Sequence, residues 1–184
     1  MAGKRKDKRM RWHAIVDRVG TNGKLVGAEI GVWQGKLSRK LLEMIPGLTL
    51  YMVDTWTAYT DEQRSRDYES QLTTKPQREF DRARKQAREA TKKFHGRTVI
   101  LEIPSVEAAA RFEDGPLDFV YIDADHTYEG VTQDIEAWMS KVKSGGLLCG
   151  HDYGQRVGVT RAVDEWFAGR FEKDANSTWH VIVS

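Results

Sequence analysis

The feature that most constrains this chain of 184 residues is an alternation: apolar runs of strand length recur between segments of helical periodicity from about residue 13 to the end. "KLVGAEIGV", "LTLYMVD", "RTVILEI", "LDFVYID" and "GGLLCG" are five such runs. Strands that are apolar on both sides must be covered on both faces, and strands separated by helices pair in parallel. The expected fold is α/β: a doubly wound, mostly parallel sheet of Rossmann-like type.

The segments between the runs carry their own punctuation. "WHAIVDRV" predicts a first helix, ended by Gly20 and the Asn22-Gly23 turn. In "QGKLSRKLLEMI", Leu37, Leu41, Met44 and Ile45 share one helical face, and Pro46-Gly47 stops the helix. Val131, Ile135, Trp138, Met139 and Val142 form an apolar stripe before Gly145-Gly146 returns the chain to the sheet. "VTRAVDEWF" predicts a last helix, and the two extended pieces around Asn176-Ser177 predict a C-terminal antiparallel hairpin at one sheet edge. Residues 57–95 break the rhythm, being too long for a loop and too polar for a core helix. They are expected as a helical insert of two exposed helices, "DEQRSRDYESQL" and "QREFDRARKQAREATKKF", separated by Pro76 and lying over the carboxyl edge of the sheet.

Charge is uneven. The net +2 divides into +5 over residues 1–12, +6 over 75–97 and −9 elsewhere. The first twelve residues are expected to be a disordered, solubilising basic tail on a single domain spanning 13–184. The two basic segments also keep an anionic partner, such as a nucleic acid, open as an alternative. No apolar run approaches the roughly 20 residues of a membrane helix. The single Cys149 lies in an apolar run, which predicts a small core residue and a chain of the reducing cytoplasm without a disulfide framework.

Three signals converge on one edge of such a sheet. In "GAEIGVWQGKLS", Glu29 ends a strand, Gly31 and Gly35 flank a tight turn, and a helix starts at once, so that backbone N–H groups face a ligand. Asp54 ends the second strand about twenty positions later, the usual spacing for an acid that accepts hydrogen bonds from a ribose. Asp123, Asp125 and His126 end the fourth strand, while His151 and Asp152 end the fifth. Carboxylates gathered there repel one another unless something positive sits among them. Asp54 also has a plainer reading as the cap of a following helix, and glycine turns are common.

Together these segments resemble the class I S-adenosylmethionine-dependent methyltransferases, and are similar to the macrocin-type and catechol-type O-methyltransferases. The resemblance runs from Val26 to Ser184 through "EIGVWQG", "VDTW", "DFVYIDADHTYEGVTQDI", "GGLLCGHDY" and "GVTRAVDEWF", with the tail and the insert outside it. It implies that Glu29, Gly31 and Gly35 line the methionine part of the cofactor, with Trp33 where the broad pattern often has a glycine. It also implies that Asp54 takes the ribose hydroxyls, that Ser105 and Val106 border the adenine, and that Asp123 lies near the cofactor. A divalent metal on Asp123, His151 and Asp152 is one implication. Histidine among the ligands then favours manganese, iron or zinc over magnesium, and a metal-free site with a histidine base is the other reading.

The expected activity is methyl transfer to a hydroxyl of a small molecule, a sugar, polyketide or phenol, releasing S-adenosylhomocysteine. His126 is the first candidate for the base and His151 the second, with Asp123 beside them. Trp56, Tyr59 and Tyr153 are candidate walls of the acceptor pocket, and His13, His95 and His180 are read as structural or surface residues. A ribose hydroxyl of nucleic acid and a non-catalytic cofactor-binding protein are the alternatives, and the edge hairpin together with the amphipathic first helix makes a homodimer an expectation.

Overall fold

The computed structural model describes residues 10–66, 72–174 and 176–184. In chain order it contains α1 (Arg11–Val19), β1 (Leu25–Ile30), α2 (Lys36–Met44), β2 (Leu48–Val53), α3 (Asp61–Arg66) and α4 (Gln77–Thr91). A 3-10 turn (Lys92–Arg97) leads into β3 (Thr98–Leu101), α5 (Ser105–Ala109), β4 (Leu117–Ile122), α6 (Tyr128–Met139) and β5 (Val142–Gly150). α7 (Val157–Phe167), β6 (Glu172–Lys173) and β7 (Trp179–Ile182) complete it. The strands form one sheet in the order β3-β2-β1-β4-β5-β7-β6. β3 through β5 pair in parallel, and β7 and β6 add antiparallel at the far edge.

Alternation along the strands builds the two faces. In β4, Phe119 and Tyr121 face the side covered by α1, α2 and α4, while Val120 and Ile122 face the side covered by α5, α6 and α7. Both faces are apolar because helices cover both, which is why these strands read as continuous hydrophobic runs. Cys149 is buried in the first of these cores.

Two expected boundaries shift. α1 begins at Arg11, so Arg11 and Trp12 belong to the folded helix and not to a tail. The reason is local: Met10 ends the extended backbone, and the Met10 N–H donates to His13 Nδ1 (2.9 Å), closing the first turn. In the insert, α3 accounts for residues 61–66, and residues 67–71 of the expected first helix lie outside the described residues. α4 rests on Phe80, Ala83 and Ala87, as its spacing predicts, and packs against α2. Among the described residues no helix is long and apolar enough to cross a membrane.

Candidate active site

Going outward from β1 the chain passes to β2 on one side, while β4 flanks it on the other, so the order in which strands are added reverses between β1 and β4, which remain parallel. Ligands of open α/β sheets bind in the crevice beyond the carboxyl ends at such a reversal. Backbone hydrogen bonds carry the parallel ladder one residue past the strands. The N–H groups of Asp54, Gly31, Asp123 and His151 donate to the carbonyls of Leu101, Val53, Ile30 and Ile122. The four residues are thereby placed in a row along the rim.

Gly31 must be glycine twice over. Its φ is +87°, and a Cβ there would lie 2.2 Å from the carbonyl oxygen of Asp123. Two residues later Trp33 holds φ 50°, a left-handed conformation that costs a bulky residue roughly 1–2 kcal/mol. Its neighbours enforce it. The Trp33 N–H donates to Asp54 Oδ2 (2.8 Å), its carbonyl accepts from the indole Nε1 of Trp56 (2.8 Å), and its ring meets Phe80 edge to face at 5.3 Å. Asp54 also accepts from the N–H groups of Val32 (3.0 Å) and Trp56 (2.8 Å), so this acid organises the glycine turn as well as facing the cleft. Burial raises its carboxyl above the ordinary range, against the three backbone donors that lower it.

Glu29 is buried at the end of β1, and burial pushes its carboxyl up to about 8 although the Ser38 hydroxyl donates to it. The acid-and-imidazole cluster lies next to it. Asp152, in left-handed backbone at φ 62°, accepts on both oxygens: Oδ2 lies 3.0 Å from His126 Nε2 and Oδ1 lies 2.8 Å from His151 Nδ1. Partial burial opposes ionisation of Asp152, but hydrogen bonds from the two imidazoles, and their charge, hold its carboxyl well below the usual carboxylate range. Asp123 Oδ1 is 3.9 Å from both His126 Nε2 and His151 Nδ1, and its Oδ2 is 2.5 Å from Arg11 Nη1. The positive group that the acids require is therefore present in the chain itself, on α1. Asp125 plays a different part: Oδ1 accepts from the Thr127 N–H (2.8 Å) and Thr127 Oγ1 caps α6 by accepting from Gly130.

Two cavities open on this rim. One, of about 460 Å³, is lined by Gly31, Asp54, Ser105, Val106, Asp123 and Asp134 among others. The second, of about 690 Å³, is lined by Arg11, Trp12, Glu29, His126, His151 and Asp152 among others. Gly31, Trp33, Leu72 and Asp123 line both.

Of the residues predicted for the cofactor, Gly31, Trp33, Asp54, Ser105, Val106 and Asp123 border the first cavity, whereas Glu29 borders the second. Gly35 borders neither: at φ 68° it approaches α4, where a Cβ would come 2.9 Å from Ala87 Cα, so the glycine serves helix packing. Tyr59 lines the first cavity. Trp56 is no wall, because it is 2 % exposed in the core, drawn inward by the hydrogen bond to Trp33. Tyr153 is turned away as well: its hydroxyl donates to Asp164 (2.7 Å) and its ring packs on Phe171. Among the described residues, donor atoms of Asp123, His126 and Asp152 converge within 4.8 Å of one another, and His151 stands beside them with Nδ1 2.8 Å from Asp152 Oδ1.

Two residues of the site escaped the sequence reading. Arg11 was hidden at the end of a basic run, where charge reads as a solvated tail. Asp134 carried a signal, a carboxyl between Val131, Ile135 and Trp138 on an otherwise apolar helix face. Burial raises it to about 7, and the Ser105 hydroxyl, which also accepts from Trp138 Nε1 (2.9 Å), hydrogen-bonds to it.

Comparison with known proteins places this geometry. Residues 28–153 match a family described as a methyltransferase domain. No curated protein sequence matches the chain. Among solved structures, a Corynebacterium glutamicum protein superposes with a TM-score of 0.67 at 13% identity, over 96% of this chain and 82% of that one. The O-methyltransferase NovP gives 0.66 at 18%, over 95% and 79%. A precorrin-6y C5,15-methyltransferase from Geobacter metallireducens gives 0.59 at 16%, over 94% and 77%. At these identities the likeness is one of fold, and it includes proteins named for methylating oxygen and for methylating carbon. With the family match covering two thirds of the sequence, the chain belongs to the class I S-adenosylmethionine-dependent methyltransferases.

Proposed function

We propose that the chain moves a methyl group from S-adenosylmethionine, held in the first cavity, to a hydroxyl of a small molecule held in the second. The observation that carries this reading is that the two cavities meet at Asp123, beside imidazoles paired with Asp152. Transfer from a sulfonium needs an oxygen in line with the S–CH3 bond and a site for the hydroxyl proton. As the new O–CH3 bond forms, the C–S bond breaks, its electron pair stays on sulfur, and the proton leaves to the base.

The geometry favours His151 as that base over His126, the first candidate from sequence. His126 presents Nε2 to Asp152, whereas His151 presents Nδ1. Asp152 thus fixes the tautomer that leaves Nε2 of His151 able to accept a proton in the second cavity, and its charge stabilises the imidazolium that results. His126 then acts as a positioning residue on the other oxygen of Asp152. Arg11 balances Asp123 and keeps the rim from accumulating negative charge.

A second reading has a cation on Asp123, His126 and Asp152, whose donor atoms lie within 4.8 Å of one another. One nitrogen with two carboxylates suits manganese, iron or zinc better than magnesium. A bound cation there would lower the pKa of the acceptor hydroxyl. Chelation followed by manganese add-back separates the two: an unchanged rate supports the imidazole base, and loss with recovery supports the cation. The reaction class is tested by offering methyl-labelled cofactor with a panel of hydroxyl, amine and carbon acceptors. Label on oxygen is expected; label confined to nitrogen or carbon contradicts the reading.

A further inference from the structure

We infer that the indole of Trp33 faces the sulfonium of the bound donor and lets the site distinguish the cationic S-adenosylmethionine from the neutral S-adenosylhomocysteine. The inference rests on the reading that the first cavity holds the cofactor, and it assigns a role to a residue that sits where glycine would be the unstrained choice.

In-line transfer places the methyl group between the sulfur on one side and the acceptor oxygen on the other, so the sulfonium lies where the two cavities join. Gly31, Trp33, Leu72 and Asp123 line both cavities. Gly31 offers only backbone there, and Leu72 only an aliphatic side chain. Asp123 has a carboxylate, but Arg11 Nη1 is 2.5 Å from its Oδ2, so most of its attraction for another cation is already used. Trp33 remains. A sulfonium taken out of water loses hydration, and the face of an indole is the side chain that best replaces it without a compensating negative charge.

The backbone points the same way. Strain of this kind persists only where the surroundings impose it, and it gathers at working sites. Trp33 is pinned at its N–H by Asp54, at its carbonyl by Trp56 and at its ring by the perpendicular ring of Phe80. Asp54 faces the first cavity. The acid at the cofactor pocket therefore fixes the backbone of Trp33 at the junction. A purely structural role, with the ring only anchoring α4 through Phe80, predicts something different: loss of the ring would then weaken both ligands together.

The test is calorimetric titration of S-adenosylmethionine and S-adenosylhomocysteine into the full chain, the Trp33→Leu variant and the Trp33→Phe variant. Trp33→Leu is expected to weaken the sulfonium ligand about tenfold while the thioether stays within about twofold, and Trp33→Phe to fall between that variant and the parent. Should Trp33→Leu fail to fold, fluorinated tryptophan incorporated at position 33 alone, which weakens the π face with little change in shape, is expected to shift the same affinity ratio in the same direction. Equal weakening of both ligands, or no change in their ratio, overturns the inference while leaving the cofactor site standing. Failure of the parent chain to bind either ligand overturns the cofactor reading itself, and this inference with it.

Discussion

Arg11 Nη1 lies 2.5 Å from Asp123 Oδ2, so the first turn of α1 is tied to the end of the central strand β4 across 112 positions of sequence. The arginine is 41 % exposed and the aspartate 16 %, which makes the pair half screened by water. Arg11→Gln is therefore expected to lower stability by only about 1 kcal/mol. That corresponds to roughly 2–4 °C in melting temperature for a chain of this size. Thermal denaturation checks it, and the difference between variant and parent should shrink in high salt. A difference that salt leaves untouched would mean that packing of α1, and not the ion pair, carries the contact.

Within the Asp152 cluster the two histidines are expected to behave unequally. His151→Ala should reduce turnover about 10²–10⁴-fold, the range for loss of a general base, and His126→Ala by less. Affinity for S-adenosylhomocysteine should stay unchanged in both. The reverse order of losses would move the base to His126 and remove the tautomer argument.

Glu29 makes stability depend on pH. Its carboxyl rises from the ordinary 4.5 to about 8 because it is buried, so the folded chain keeps a proton that the unfolded chain has released. The stability this provides is complete below 4.5, declines as pH rises and is gone above about 8. Glu29→Gln is expected to flatten the melting temperature across that window, measured without ligand. Ser38→Ala should extend the window upward, since the Ser38 hydroxyl hydrogen bond lowers the Glu29 carboxyl.

The two glycines of the first turn are predicted to fail in different ways. Gly31→Ala would drive a methyl group into the Asp123 carbonyl, displacing the centre of the site, so both stability and cofactor affinity should fall. Gly35→Ala presses on Ala87 of α4, and it should lower the melting temperature with little change in affinity for S-adenosylhomocysteine. Equal loss of affinity in both variants would return Gly35 to the cofactor site.

The alternation of apolar runs made the sheet legible because parallel strands covered on both faces have few other ways to be written. Asp54, Asp123, His151 and Asp152 were legible for the same reason, since strand ends fix position along the rim. What resisted was direction. Trp56 and Tyr153 follow strand ends as the true lining residues do, and only the hydrogen bonds to Trp33 and Asp164 show that they turn away. Arg11 was out of reach because its partner is chosen by the docking of α1, which no local pattern records. Gly35 looked like a ligand glycine because close approach to a helix and close approach to a cofactor ask for the same residue.

The central claim, that the rim between β1 and β4 holds the nucleoside cofactor, is tested most directly by calorimetric titration of S-adenosylhomocysteine into the parent chain and into a variant carrying Val106→Trp, which fills the first cavity from α5. Binding of one ligand per parent chain, lost in the variant while its fold and melting temperature persist, is the predicted result. Equal binding by both proteins, or none by the parent, would contradict the account.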